Sequence, residues 1–490
     1  MKFHSGGDDP PFRNGIWSIA DYALVILCAA LCWYAVQWAT GPGSFLMLDE
    51  LGNLGRYLGA SYRGMITFFP QWIYNDRPIG FAIERLLFDA FGFDYRRQLG
   101  VFLAIHFGNC VLGFLLFRRF GVNRALSLAA IGLYGSLWTT VETATYIGAV
   151  FDVACLFFLL GSTLAFLSDK RGANVVSAIL FLLALRTKEF AIVVPALFSV
   201  LALYLSPNLP LRQALGFAVR RVWMHLLIGA IFAVRYLLFI PRMRAEMGPS
   251  SLYYMHPDPV TILRSLSYYT AWIFGSEDKG LSRHPFLLAS LFGAILLYGL
   301  YRRRTAVVFG LAAYILTLLP VTMISNRQPY YVYAPQLFLI LLVAVLIEDL
   351  IRTLKEERFQ RVACISAAIA IMAAAAMFQR SSYFKDRMNW FVTVRHISNT
   401  SAMDASRLLP ALAPGAHIYI NHNAQMPWLF IPGPCDFFKL AKKDRSIICV
   451  LNEPEDKLRT LYSQDHGPKY FLNYNESGAV SVVDAGIANP

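Results

Sequence analysis

The chain has 490 residues, 57% of them hydrophobic and 15% charged, with a mean hydropathy of +0.47. No ordinary soluble domain of this length shows that balance, so the composition excludes a water-soluble enzyme and indicates a protein of the lipid bilayer. A formal charge of +13 would suit nucleic acid, but the basic residues sit in short gaps between apolar runs, which argues against that partner.

Crossing a hydrocarbon core of about 30 Å takes roughly 20 mainly apolar residues. About eleven such runs occur, near 17–40, 99–117, 125–140, 144–167, 173–187, 189–205, 222–240, 285–300, 305–323, 331–350 and 361–379. The first lacks a small-residue cleavage site and exceeds a signal peptide's apolar region, so it is expected to be retained as a helix.

Basic residues mark alternate gaps: Arg118, Arg119 and Arg124, then Lys170 and Arg171, Arg220 and Arg221, and Arg302 to Arg304. With Lys2 and Arg13 near the N-terminus and the gap "IEDLIRTLKEERFQR", they satisfy one cytoplasmic orientation under the positive-inside rule. The loop 41–98, the stretch 241–284, the turn "SNRQPYYVY" and everything after about 380 are then extracytoplasmic. The expected architecture is an α-helical polytopic membrane bundle over 1–380, with a small extracytoplasmic α/β domain over 381–490. Its candidate strands are "AHIYI", "SIICVL", "KYFLNY" and "AVSVV".

In chain order, the first polar constellation is "SFLMLDELGNLGRYLG", residues 44–59, which sets Asp49 and Glu50 just after the first span. Asp49 suits a helix cap, and an acid at the membrane boundary also suits proton abstraction from an acceptor. In the same loop "YNDRPIG" places Arg77, whose guanidinium fits a phosphate. The stretch "GFAIERLLFDAFGF" is amphipathic, with Phe81, Leu86, Leu87, Phe88 and Phe91 expected on the membrane surface and Glu84, Arg85 and Asp89 in water.

His106, Glu142 and Asp152 interrupt apolar sequence, and ionisable groups at membrane depth face cavities or one another. His106 alone reads more readily as a hydrogen-bonded core histidine. "LRTKEFAIVVPAL" carries Arg186, Lys188 and Glu189 on the outer side against the charge trend, which suits an anionic lipid headgroup as well as an ordinary turn. "SLSYYTAWIFG" at 265–275 is too short to span and is expected to be interfacial or re-entrant. "SNRQPYYVYAPQ" then brings Arg327 with Tyr330, Tyr331 and Tyr333 to the same side. Cys28, Cys32, Cys110, Cys155 and Cys364 lie in apolar runs as small core residues, and Cys435 and Cys449 in the tail could pair in an oxidising compartment.

The pieces "LDE", "RPI", "AIHFGN", "VETATYIGAVFD", "RTKEFAIVVP" and "NRQPYYVYAP", in that order over roughly residues 15–350, resemble the GT-C membrane glycosyltransferases. They are most similar to the protein O-mannosyltransferases with tetratricopeptide repeats and their bacterial relatives. The resemblance implies a polyprenyl-phosphate-linked sugar donor, with Asp49 and Glu50 as the catalytic acids. It also matches Arg77, His106, Glu142, Asp152, Lys188, Glu189 and Arg327 with Tyr330, Tyr331 and Tyr333.

The sequence departs from that pattern at several places. The acids are Asp-Glu rather than Asp-Asp, Val precedes Glu142 where His-Thr is usual, Gln328 and Pro329 intervene before the tyrosines, and the tail holds no tetratricopeptide repeat. Mannosylation of proteins is therefore not implied. The expected function is transfer of a sugar to an acceptor hydroxyl on the extracytoplasmic side, with Asp49 as base, inversion at the anomeric carbon, and Arg77, Lys188 or Arg327 meeting the leaving phosphate. The expected setting is a bacterial inner membrane with the site facing the periplasm. No cofactor is called for, although Asp49, Glu50 and Glu142 offer hard oxygen ligands to a divalent metal. The competing readings are a lipid-linked saccharide transporter or flippase, and a noncatalytic membrane assembly protein.

Overall fold

The computed structural model describes residues 19–41, 43–47, 49–66, 77–206, 209–246, 251, 254–275, 283–422, 435–451, 453–477 and 479–486. Lys2, Arg13 and the first three residues of "YNDRPIG" lie outside the described residues. Nineteen helices and four strands follow in order among those described. They are α1 (Ile19–Ala39), α2 (Asp49–Tyr57), α3 (Tyr62–Ile66), α4 (Pro78–Phe91), α5 (Tyr95–Arg119), α6 (Arg124–Ser136), α7 (Trp138–Thr145), α8 (Val150–Phe166), α9 (Ala173–Thr187), α10 (Val194–Tyr204) and α11 (Leu211–Glu246). Then come α12 (Pro259–Ile273), α13 (Pro285–Tyr301), α14 (Thr305–Thr322), α15 (Tyr333–Ile351), α16 (Glu357–Arg380) and α17 (Ser382–Leu408). The tail continues through β1 (His417–His422), α18 (Asp436–Lys442), β2 (Ile448–Val450), α19 (Glu455–Gln464), β3 (Lys469–Tyr474) and β4 (Val480–Gly486).

Among the described residues helix covers most of each expected apolar run, with breaks at Leu137 and Tyr146. Among the described residues seven helical stretches are long and apolar enough to cross a bilayer: Asp21–Ala39, Tyr95–Arg119, Ile147–Phe166, Arg212–Arg235, Thr305–Thr322, Pro329–Ile351 and Glu357–Arg380. Three shorter apolar helices accompany them, Ala173–Thr187, Glu189–Leu203 and Pro285–Tyr301. Large apolar side chains such as Phe107, Leu297 and Met377 point outward, which suits lipid, where a helix satisfies its own backbone. The chain is a multi-pass integral membrane protein.

One end of the bundle is basic, and its arginines satisfy helix ends. Arg119 donates to the Leu167 carbonyl at 2.6 Å, and Arg221 to those of Phe166 at 2.7 Å and Ser168 at 3.1 Å. Asn123 caps α6 by accepting from Ala125 N–H, while its own N–H donates to Glu348. These carbonyls lack partners within their helices, and cations suit the negative end of the helix dipole.

The tail forms a four-stranded sheet in the order β2-β1-β3-β4, with β1 parallel to β2 and β3, and β4 antiparallel to β3. Cys435 and Cys449 form a disulfide between the start of α18 and β2. Phe437 of α18 packs on Phe45 and Phe93, with ring centroids 6.2 and 5.2 Å apart, so the tail rests on the first loop.

One local expectation is corrected. Glu84 does not face water; it is buried on α4, where Asn53 Nδ2 lies 3.4 Å from its Oε1, while Leu86 points outward. The 265–275 piece lies in the second half of α12 and just beyond it, where Leu266, Tyr269 and Trp272 are buried and Thr270 bonds the Tyr314 hydroxyl at 2.6 Å. The segment after residue 380 begins with α17. Its buried Phe384, Met388, Phe391, Val394, Ser398, Ala402 and Ala405 recur at the three- and four-residue spacing of an amphipathic helix.

Candidate active site

The end opposite the basic one gathers the polar motifs. Asp49 opens α2, where a carboxylate suits the positive end of the helix dipole. Its backbone N–H donates to the Tyr146 hydroxyl at 3.1 Å. The Tyr146 ring is stacked on Tyr330 with centroids 6.2 Å apart. Tyr330 and Tyr331 in turn flank Lys188, whose Nζ lies 5.2 and 5.1 Å from their ring centroids, a cation–π arrangement. Residues from the first loop, the α7–α8 junction, the α9–α10 turn and the α14–α15 turn therefore form one continuous cluster.

Lys188 is buried and donates to both oxygens of Asp152 at 2.6 Å. Beside it Arg77 makes a two-pronged pair with Glu189, through Nε to Oε2 at 2.7 Å and through Nη2 to Oε1, and its guanidinium lies 5.4 Å from the Phe151 ring centroid. Two of the three cations expected at a phosphate are thus already matched by carboxylates. Arg327 differs. It is exposed, stacked 3.9 Å from the Tyr268 ring centroid, and meets no carboxylate among the described residues.

Glu50 turns inward. Its Oε2 accepts from Met47 N–H at 2.7 Å and its Oε1 from Ile147 N–H at 2.6 Å, and Arg395 of α17 donates to both oxygens at 3.2 and 3.0 Å. Neither side chain of this pair has any solvent exposure. Asp49 and Glu50, adjacent in sequence, therefore sit in different surroundings. The occupied carboxylate of Glu50 also breaks up the expected oxygen-ligand set with Asp49 and Glu142, and no cluster of three potential ligands occurs among the described residues.

Glu142 lies on α7, outside the candidate spans, and is half-buried. Its side chain has no hydrogen bond or ion pair among the described residues. Burial pushes its carboxyl up to about 7, against the opposing influence of Arg387 and Arg395. His106 and Tyr333 do not join the cluster. They bond each other at 2.7 Å within the bundle, where Asn109 also donates to the Tyr333 hydroxyl at 3.1 Å while its own Oδ1 is buried without a partner.

Sequence reasoning passed over Tyr146 and Arg395. Arg395 had a signal, since a cation falls on the apolar stripe of α17 and must find a buried partner. Tyr146 stood inside a quoted motif, but nothing in its spacing set it apart from an aromatic of the membrane boundary.

The fold is similar to that in the crystal structure of ArnT from Cupriavidus metallidurans in the apo state, with a TM-score of 0.50 and 13% identity over 93% of each chain. The crystal structure of the Archaeoglobus fulgidus oligosaccharyltransferase tethered with an acceptor peptide also matches, with a TM-score of 0.47 and 11% identity, over 87% of this chain and 64% of that one. No family model and no curated protein matches the sequence. The first likeness is one of fold: a helical membrane bundle with a small C-terminal α/β unit.

Proposed function

We propose that the chain is a membrane glycosyltransferase that moves a sugar from a polyprenyl-phosphate donor to an acceptor hydroxyl on the extracytoplasmic side. The observation that carries this reading is the convergence, at one end of a GT-C-type bundle, of Asp49 with Tyr146, Tyr330 and the Lys188–Asp152 pair. An acid at the mouth of a cationic and aromatic cluster suits an acceptor hydroxyl beside an anionic lipid headgroup.

In the proposed step Asp49 takes the acceptor's hydroxyl proton while the acceptor oxygen forms a bond to the anomeric carbon. The bond from that carbon to the phosphate oxygen breaks, and polyprenyl phosphate leaves with the electron pair. Single displacement inverts the anomeric centre. Cations held in place before the reaction stabilise charge as it develops, and Arg327, which meets no carboxylate among the described residues, is the cation assigned to the departing phosphate. Arg77 and Lys188 are held by Glu189 and Asp152 and shape the pocket around the phosphate, with Tyr330 and Tyr331 as its apolar wall.

The test is transfer from labelled polyprenyl-phosphate sugars to envelope lipid, glycan and protein fractions by the full chain in proteoliposomes, against Asp49→Asn. Transfer by the wild type and its loss in a normally folded variant is the expected result. Equal rates would remove Asp49 as the base.

A further inference from the structure

Arg395 stands 345 residues from Glu50 in the chain, yet it bonds the backbone on both sides of the contact between Asp49 and Tyr146. Its Nη1 donates to the Phe45 carbonyl at 2.8 Å and to Glu50, while its Nη2 donates to the Thr145 carbonyl at 2.8 Å and to Glu50. Phe45 precedes Asp49 in the first loop, and Thr145 precedes Tyr146. The Thr145 carbonyl also accepts from the Tyr95 hydroxyl at 2.8 Å, and the guanidinium is stacked between Tyr95 and Phe391, 4.2 and 4.8 Å from their ring centroids. Four donated bonds and two rings leave the side chain one geometry.

Stability alone is a poor reason for such a group. A fully buried ion pair commonly contributes no more than well-packed apolar residues of the same volume, because desolvation offsets the attraction. Arg395 also leaves its Nε without a partner in the buried interior, a further cost. What a forked, planar cation provides that an apolar side chain does not is fixed direction toward several acceptors at once.

We infer that Arg395 is a positioning residue: from α17 it ties the backbone before Asp49, through Phe45 and Glu50, to the α7–α8 junction at Thr145 and Ile147. It thereby fixes the Asp49 end of α2 against the Tyr146 hydroxyl. This inference rests on the transferase reading above, and it gives the C-terminal region a part in the chemistry. The first helix after the last span is the strut that sets the acid's place, and Glu50 is the grip by which it does so.

The test uses the full chain in proteoliposomes with labelled polyprenyl-phosphate sugars and two variants with opposite liabilities. Glu50→Gln/Arg395→Met removes both charges at similar volume, and Arg395→Lys keeps the charge but loses the fork. For each, kcat, donor KM and the melting temperature are measured, and kcat is normalised to folded protein. Positioning predicts a kcat loss on the order of a hundredfold, the usual cost of an ångström-scale misplacement, with donor KM within about threefold, since the donor's cations lie elsewhere. It also predicts that the neutral pair melts close to the wild type. Wild-type kcat in either folded variant overturns the inference, as does a loss confined to KM or to the folded fraction. If the neutral pair does not fold, Arg395→Lys decides by the same kcat reading. Absence of transfer by the wild type would instead overturn the transferase reading.

Discussion

The two ends of the bundle use arginine for different purposes. At the basic end Arg119 and Arg221 cap helix carbonyls, and Arg352 and Arg361 pair with glutamates one turn away along the same helix. The Arg361–Glu357 pair is largely exposed, and screening by water leaves such a contact worth little, while Arg352 stays half-exposed over a buried Glu348. At the acidic end Arg395 has no exposure and meets Glu50, two carbonyls and two rings, and Arg77 is fixed between Glu189 and Phe151. The first arrangement records topology and satisfies backbone groups. The second spends burial on fixed geometry, which is what a reacting centre requires.

Substitutions graded by expected effect can break or sharpen that contrast. Asp49→Asn should lower kcat about 10²–10⁴-fold, the range for a general base, with an unchanged melting temperature; a comparable loss from any basic-end arginine would erase the distinction. Glu50→Ala alone strands the Arg395 charge in the interior and should destabilise the protein by roughly 3–5 kcal/mol, read by melting in detergent. Arg327→Ala should raise the donor KM roughly 10- to 100-fold, as expected for a lost charge-assisted bond, in steady-state assays at fixed acceptor.

A smaller effect concerns pH. The Glu142 carboxyl lies at about 7 against an ordinary 4.5. Between those values the folded protein retains a proton that the unfolded chain has released. Stability is therefore greatest below that window and falls as pH rises through it. Melting temperatures from pH 4 to 8 should show that decline in the wild type and a flatter line in Glu142→Gln. Smallest of all, Arg361→Ala breaks an exposed pair with Glu357 and should change stability by about 0.5 kcal/mol or less.

Much of the fold was legible because burial in lipid imposes a length and a composition on every span. Among the described residues helix covers most of each apolar run, and the four candidate strands became the four strands of the sheet. What periodicity shows less well is the partner of a charge. Glu84 looks solvated by its neighbours Arg85 and Asp89, yet it lies on the face of α4 that packs inward with Phe81 and Leu87. Asp49 and Glu50 read as one acidic unit, but a step of one residue on a helix turns a side chain by about 100°, enough to send Glu50 to Arg395 while Asp49 stays half-buried. The lysine and aspartate of the Lys188–Asp152 pair, and the arginine and glutamate of the Arg77–Glu189 pair, were each identifiable as unusual charges. That they neutralise one another depends on how α8, α9 and the first loop pack, which no local pattern carries.

The most direct test of the account is a structure of the full chain in lipid with a polyprenyl phosphate bound. The account predicts the phosphate within hydrogen-bond reach of Arg327, beside Tyr330 and Tyr331, with the Asp49 carboxylate facing the same space. A phosphate seated at the basic end, or one walled off from Asp49 by the α7–α8 junction, would contradict it.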